Sequence, residues 1–190
     1  MKKLLLHSCC GPCSTHVIEK LKNDYDLTIF YSNSNIFPSE EYQKRFDEQI
    51  RYAKIVGIET LEDEYDEDAF LQFIKGNENE KEGGLRCFKC FEYRLRRTAR
   101  FAKENGFDLF ATTLSVSPHK NAAAINEIGL KIAKELNIEF LEGNFKKEDG
   151  YKKSIELSKK FQLYRQNYCG CEFALKIQMQ EAPASLLKKY

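Results

Sequence analysis

Every cysteine in this chain has a near neighbour: the seven fall into Cys9-Cys10-x-x-Cys13, Cys87-x-x-Cys90 and Cys169-x-Cys171. Disulfide frameworks spread their cysteines to close loops of different length. Metal ligands come in close groups, because one backbone turn can then present two thiolates to one ion. The odd count would also strand one thiol if all the others were bridged. The chain opens with Met1-Lys2-Lys3 and a short apolar run that lacks the length and cleavage site of a secretory signal. A reducing cytoplasm is therefore the expected setting. No apolar stretch approaches the ~20 residues needed to span a bilayer, so the expectation is a soluble protein with no membrane partner.

A chain of 190 residues can bury one ordinary core. The expected organisation is a single α/β domain over 1–190, with a C-terminal helical extension from about residue 145. Net charge is +1, so any contact with nucleic acid must come from local clusters of basic residues rather than from the field of the whole molecule. With 31% charged and 42% hydrophobic residues, the chain has enough apolar material to fold.

Short apolar runs alternate with longer amphipathic ones. Residues 3–8 and 27–31 read as strands, as do 58–61, 108–114 and 139–141. Between them lie helical stripes: one in 15–21, one over 39–56 with Pro38 before it and Glu40 and Glu41 in its first turn, one capped by Asp66, one carrying Phe91, Leu95, Ala99 and Ala102, and one carrying Ile125, Ile128, Ile132 and Leu136. Residues 77–84 are charged and glycine-containing and read as a loop. The order βαβαβα with few hairpin signals predicts a parallel sheet with helices on both faces.

Ligands of such sheets bind beyond the carboxyl ends of the strands, where the strand order reverses. The first strand runs into His7-Ser8-Cys9-Cys10-Gly11-Pro12-Cys13-Ser14 and the fourth into Ser115-Val116-Ser117-Pro118-His119-Lys120-Asn121, so both motifs are expected to face one crevice. The first motif admits three readings. Cys9 and Cys10 could be small buried hydrophobes, which does not account for the third cysteine. Cys10-Gly11-Pro12-Cys13 has the spacing of a thioredoxin-type dithiol at a helix start, but the tryptophan usual before such a motif is missing and four other cysteines stay unexplained. Ligation uses Cys87 and Cys90 as well, and is compatible with a four-thiolate zinc site or an iron-sulfur cluster.

Taken with Gly84-Leu85-Arg86-Cys87-Phe88-Lys89-Cys90, Thr112-Thr113-Leu114-Ser115-Val116-Ser117-Pro118-His119-Lys120-Asn121 and Tyr164-Arg165-Gln166-Asn167-Tyr168-Cys169-Gly170-Cys171, the first motif resembles the QueH family of cobalamin-independent epoxyqueuosine reductases, in the family's order and over nearly the whole chain. The resemblance implies a 4Fe-4S enzyme that removes the epoxide oxygen from epoxyqueuosine in a tRNA anticodon loop. It also implies a fold similar to the nucleotide-binding α/β domains of PP-loop enzymes. By the same resemblance Cys9, Cys10, Cys87 and Cys90 hold the cluster, Cys169 and Cys171 form a redox-active pair, and an external electron donor is needed. Where PP-loop ATPases carry a phosphate loop after the first strand, this chain carries thiols, which would repel phosphate as thiolates; ATP use is not expected.

Cys13, one helical turn from Cys10, is either a core thiol or the ligand of a second, mononuclear iron helped by a carboxylate such as Asp63, Asp66 or Asp149. His119 is a candidate proton donor or substrate contact, and equally a structural hydrogen-bonder. His7 and His16 read as core or surface. Arg94, Arg96, Arg97 and Arg100 share one helix, and Lys146, Lys147, Lys152, Lys153, Lys159 and Lys160 crowd a later stretch interleaved with Tyr151, Tyr164, Arg165 and Tyr168. Basic residues interleaved with aromatics suit splayed loop nucleotides, though acidic neighbours such as Glu148 and Asp149 also fit an ordinary solvated face. The readings from other classes are a thioredoxin-like dithiol protein and a zinc-stapled RNA-binding module.

Overall fold

The computed structural model describes residues 1–181; the last part of the expected C-terminal extension, 182–190, lies outside the described residues. Its centre is β1 (Lys3–His7), where Leu4, Leu5 and Leu6 are each fully buried. At about 1.5–3 kcal/mol per buried leucine, this short run anchors both faces of the sheet. Leu4 and Leu6 point to one side, and Leu5 to the other.

The remaining strands are β2 (Asp26–Tyr31), β3 (Thr60–Glu62), β4 (Leu109–Thr112) and β5 (Glu139–Phe140). They form one five-stranded sheet in the order β3-β2-β1-β4-β5, and every pairing is parallel. The helices are α1 (Gly11–Leu21), α2 (Ser39–Val56), α3 (Glu67–Ile74), α4 (Leu85–Glu104), α5 (Ala122–Leu136), α6 (Gly150–Lys160) and α7 (Glu172–Glu181). Leu4, Leu6, Ile29 and Ala111 pack against Val17, Ile18, Tyr52 and Ala53 from α1 and α2. On the opposite face Leu5, Phe30 and Phe110 pack against Leu95, Ala99, Ala102, Ile125 and Ile132 from α4 and α5. The parallel sheet flanked by helices is the predicted fold class.

Three boundaries differ from the sequence expectation, each for a local reason. α1 starts at Gly11 because Pro12, in the first turn, has no N–H that needs a helical partner. The third strand starts at Thr60, not at residue 58, since Ile58 N–H is still bonded to the Ala53 carbonyl behind the left-handed Gly57. The fourth strand stops at Thr112: the Thr112 hydroxyl accepts the Leu114 N–H, and residues 114–116 coil into a single 3-10 turn. β1 and β4 are neighbours whose chains continue to opposite sides of the sheet, so the strand order reverses between their carboxyl ends.

Candidate active site

β1 delivers its chain directly into the first cysteine group. Ser8 N–H is still held by the Phe30 carbonyl, and the Asn33 amide donates to the Ser8 carbonyl. Three residues later α1 begins, and its first turn brings Cys13 back over Cys10. The Sγ atoms of Cys9, Cys10 and Cys13 all lie within 4.8 Å of one another, with Cys9 and Cys10 3.9 Å apart. Hydrogen bonds from Cys10 and then Cys13 hold the Cys9 thiol well below its ordinary pKa, helped by the charges of Arg94 and Lys120. Cys10 is lowered by its bond with Cys13, but its bond with Cys9 and its burial outweigh that and push it up to about 12. Cys13 is raised well above the usual thiol range by its bonds to Cys10 and Cys9. Cys9 is thus the most acidic thiol of the three.

The second group forms between α4 and the loop before α7. Gly84 is the N-cap of α4, so Cys87 and Cys90 sit on its first turns, and Gly83 N–H donates to Cys87 Sγ at 3.2 Å. Burial raises Cys87 and pushes Cys90 up to about 12. Across from them, Cys169 and Cys171 are held from α2. Arg45, 2% exposed, is paired with Glu41 at 2.7 Å and donates to the Cys169 and Tyr168 carbonyls at 3.2 and 3.3 Å. Phe37 N–H donates to the Gly170 carbonyl at 2.7 Å. Gly170 has φ +124°, and a Cβ there would stand 2.9 Å from the Arg45 guanidinium; only glycine meets both conditions. Cys171 is pushed up to about 11, by burial and then by Cys169.

The two groups adjoin. A cleft of about 650 Å³ is lined by Cys9, Cys13, Cys169, His119, Lys120 and Arg94 among others. A narrower cavity is lined by Cys87, Cys90, Cys169, Cys171, Arg86 and Arg94. Cys169 and Arg94 belong to both. Beneath them runs a buried polar chain: Arg94 Nη2 donates to Asn33 Oδ1, and Arg94 Nε donates to His7 Nε2 at 3.2 Å. Burial, with the Arg94 charge adding to it, drives His7 down to about 3, so it is neutral. The Ser32 carbonyl, also 3.2 Å from Nε2, competes with Arg94 for that nitrogen, and Nδ1 is hydrogen-bonded with Thr112 Oγ1 at 2.8 Å. Lys120 is raised: its burial, which lowers it, is outweighed by Cys169, Cys9 and Cys13.

Other expected participants sit elsewhere. Asp63 is bound to both Arg97 nitrogens and to the Ser32 hydroxyl, Asp66 caps α3 through Ala69 N–H, and Asp149 is exposed at the start of α6; none of them lines the cleft. Of the carboxylates, Glu82 from the 77–84 loop does line it. His119 is on the rim, exposed, with its backbone N–H bonded to Ser117 Oγ. The arginines of α4 are not a common basic face. Arg94 is 2% exposed, Arg97 is paired with Asp63, and Arg96 with Glu92 and Glu135; Arg100 is the exposed one. The signal was in the sequence. Position 94 is in phase with Phe91, Leu95 and Thr98 on the buried stripe, and a charge in that phase needs partners inside. Arg45 and the Gln166 amide, which donates to Cys10 Sγ at 3.1 Å, carried no comparable signal.

A parallel α/β domain with free thiols on a cleft at its strand switch point, and more in the cavity that adjoins it, is the architecture of a thiol-based redox or metal enzyme. Residues 4–177 match the family described as Epoxyqueuosine reductase QueH. Relatives of that name include one from Staphylococcus aureus, 42% identical over 90% of this chain and 75% of its own length. Another, from Acinetobacter baylyi, is 42% identical over 92% of this chain and 81% of its own length. A third, from Thermotoga maritima, is 34% identical over 100% of this chain and 98% of its own. The chain belongs to the QueH family, and membership makes it an oxidoreductase. A solved structure described as a predicted subunit of a tRNA methyltransferase from Methanocaldococcus jannaschii superposes with a TM-score of 0.51 at 16% identity, covering 83% of this chain and 76% of that one; the likeness is one of fold. Among the described residues, no helix is long and apolar enough to cross a membrane.

Proposed function

We propose that this chain is an epoxyqueuosine reductase that removes the epoxide oxygen from epoxyqueuosine in a tRNA anticodon loop, using a thiolate-held 4Fe-4S cluster and the Cys169, Cys171 pair. The observation that carries the reading is the convergence, in a chain of this family, of thiols from two distant sequence regions on one cleft at the β1 and β4 ends, with the third cysteine group in the cavity that adjoins it through Cys169 and Arg94. Its volume of about 650 Å³ is within the range for a small-molecule site and suits one splayed nucleoside.

The residues present fit a cluster on two counts. Every cysteine is a free thiol, and the surroundings are cationic: buried Arg94, Arg86 and Arg45, with Lys120 at the cleft. They suit a group ligated by four thiolates, whose net charge is negative. Cys9, Cys10, Cys87 and Cys90 would hold it, and when bound it supplies electrons one at a time. Cys13, beside Cys9 and Cys10, is the ligand proposed for a second, mononuclear iron, with Glu82 the cleft carboxylate nearest in role to those first considered.

Opening the epoxide to an alkene takes two electrons and two protons, with the oxygen leaving as water. Cys169 and Cys171 release two electrons and two protons on closing a disulfide, and an external donor restores the dithiol. Lys120 and His119, which line the cleft, are the proposed proton donors to the departing oxygen. Splayed bases would lie against Tyr151 and Arg165, which also line the cleft and stack at 6.0 Å. The exposed Lys152, Lys153, Lys159 and Lys160 of α6 are the proposed phosphate contacts. The protein acts without ATP and in the cytoplasm on this reading.

The test is conversion. Iron-loaded wild type given a strong reductant should turn epoxyqueuosine in tRNA into queuosine without cobalamin, whereas Cys169→Ser, equally iron-loaded, should stall after at most one turnover. Mass spectrometry of digested tRNA reads both. Multiple turnover by Cys169→Ser would remove the dithiol step, and no oxygen loss by the loaded wild type would remove the function.

A further inference from the structure

Cys10 is 1% exposed, so its sulfur must find hydrogen-bond partners inside the protein. Among the described residues, the nitrogen that reaches it belongs to the side chain of Gln166, 156 positions further along the chain: Gln166 Nε2 donates to Cys10 Sγ at 3.1 Å. Gln166 lines the cleft, three residues before Cys169. Its backbone is pinned on both sides, by Glu48 on the Tyr164 N–H and by Arg45 on the Tyr168 and Cys169 carbonyls. The amide is therefore delivered to the sulfur by a segment that α2 holds in place.

The amide faces the sulfur with the end that a metal ligand needs. A sulfur bound to iron carries no proton and can only accept, so a partner has to offer N–H or O–H. Two other proposed ligands have a donor or hydroxyl nearby: Gly83 N–H stands 3.2 Å from Cys87 Sγ, and Thr113 Oγ1 3.9 Å from Cys9 Sγ. Gln166 is the donor that comes from the segment carrying Cys169 and Cys171. An N–H aimed at a sulfur binds more strongly as that sulfur gains negative charge. An electron entering a cluster adds negative charge to its sulfurs, so such a bond favours the reduced state and raises the reduction potential.

We propose that Gln166 is a positioning residue that sets the reduction potential of the cluster through its hydrogen bond to Cys10. The inference rests on the 4Fe-4S reading given above. The step it governs is the transfer of one electron from the external donor to the cluster, with no bond made or broken. Gln166 makes that electron easier to accept, and it acts from the same stretch of chain that carries the proposed redox pair.

The test uses full-length protein loaded anaerobically with iron and sulfide, titrated with dithionite in the presence of redox mediators, the reduced cluster being read by electron paramagnetic resonance. Gln166→Met keeps the length of the side chain but has no N–H to give. At a fixed potential its ratio of reduced to oxidised cluster is expected to fall about tenfold, ~59 mV for a one-electron couple. Gln166→Glu, which puts a carboxylate oxygen where the amide nitrogen stands, should fall at least as far and guards against a packing defect in the first variant. In heavy water the iron-sulfur stretching bands of the wild type should shift, and those of Gln166→Met should shift less, which loss of packing alone would not produce. Equal midpoints in the three loaded proteins overturn the proposal, as does a heavy-water shift in Gln166→Met equal to that of the wild type. A colourless wild type that takes up no cluster would instead remove the cluster reading itself, and this inference with it.

Discussion

The two cysteine regions that meet at this cleft are built in opposite ways. Cys9, Cys10 and Cys13 ride on regular structure: a central strand with three fully buried leucines ends, a helix begins, and the sulfurs are brought together by backbone geometry alone. Cys169 and Cys171 are in irregular chain, held by groups far away in sequence: the Arg45 guanidinium on two carbonyls, the Phe37 backbone N–H on a third, and the Glu48 carboxylate on Tyr164 N–H. The first region can move only if the sheet does. The second can loosen while the sheet stays folded, which the disulfide cycle proposed for it would require.

Removing what joins the two regions should have the largest effect. Arg94→Leu strands Asn33 Oδ1 and takes the buried cation out of the polar chain beneath the cleft, so a stability loss of about 3–5 kcal/mol is expected, against about 0.5 kcal/mol or less for Arg100→Ala on the exposed side of the same helix. Denaturant titration of both variants measures it. Similar midpoints for the two would mean that Arg94 is not structural to the cleft.

The same contrast governs how much the sequence disclosed. The sheet was legible because strand alternation and helical stripes are local, and the strand order follows once β1 and β4 are neighbours. The meeting of the first and fourth strand ends on one crevice, and the cysteine grouping, were legible too. What failed was the reading of charge. Arg94, Arg96 and Arg97 are adjacent in sequence, but the helix turns them toward three different partners, and partners such as Asn33 and Asp63 come from strand ends whose direction no local pattern states. Arg45 was invisible for the same reason, since α2 reads as a solvated amphipathic helix until the 164–171 segment covers it.

Arg45→Lys probes the second region directly. Lysine keeps the charge but not the fork that spans two carbonyls. The expected cost is about 1–3 kcal/mol, felt locally: amides of 164–171 should exchange faster while those of β1 keep wild-type protection. Equal acceleration in β1 would show that the loop and the sheet open as one unit, and the contrast between the regions would be lost.

The smallest effect belongs to Glu48, and it carries a sign. Its hydrogen-bonded pairing with Arg51 lowers its pKa below the carboxylate value of 4.5, and the Tyr164 N–H, bonded at 2.6 Å, adds to this. A carboxyl whose folded pKa is depressed contributes stability that is fully present above its unfolded pKa and fades as pH falls through the folded one. Arg51 is partly exposed, at 42% of its side chain, so solvent screening limits the contribution to about 1 kcal/mol or less. Glu48→Gln keeps an acceptor for Tyr164 N–H but removes the charge. Denaturant midpoints of wild type and variant should therefore differ near neutral pH and converge as pH drops below the ordinary carboxylate range. Tryptic cleavage after Arg165, in the segment that Glu48 pins, should be faster in the variant at neutral pH only. A constant gap at every pH would mean that shape rather than charge ties this segment to α2.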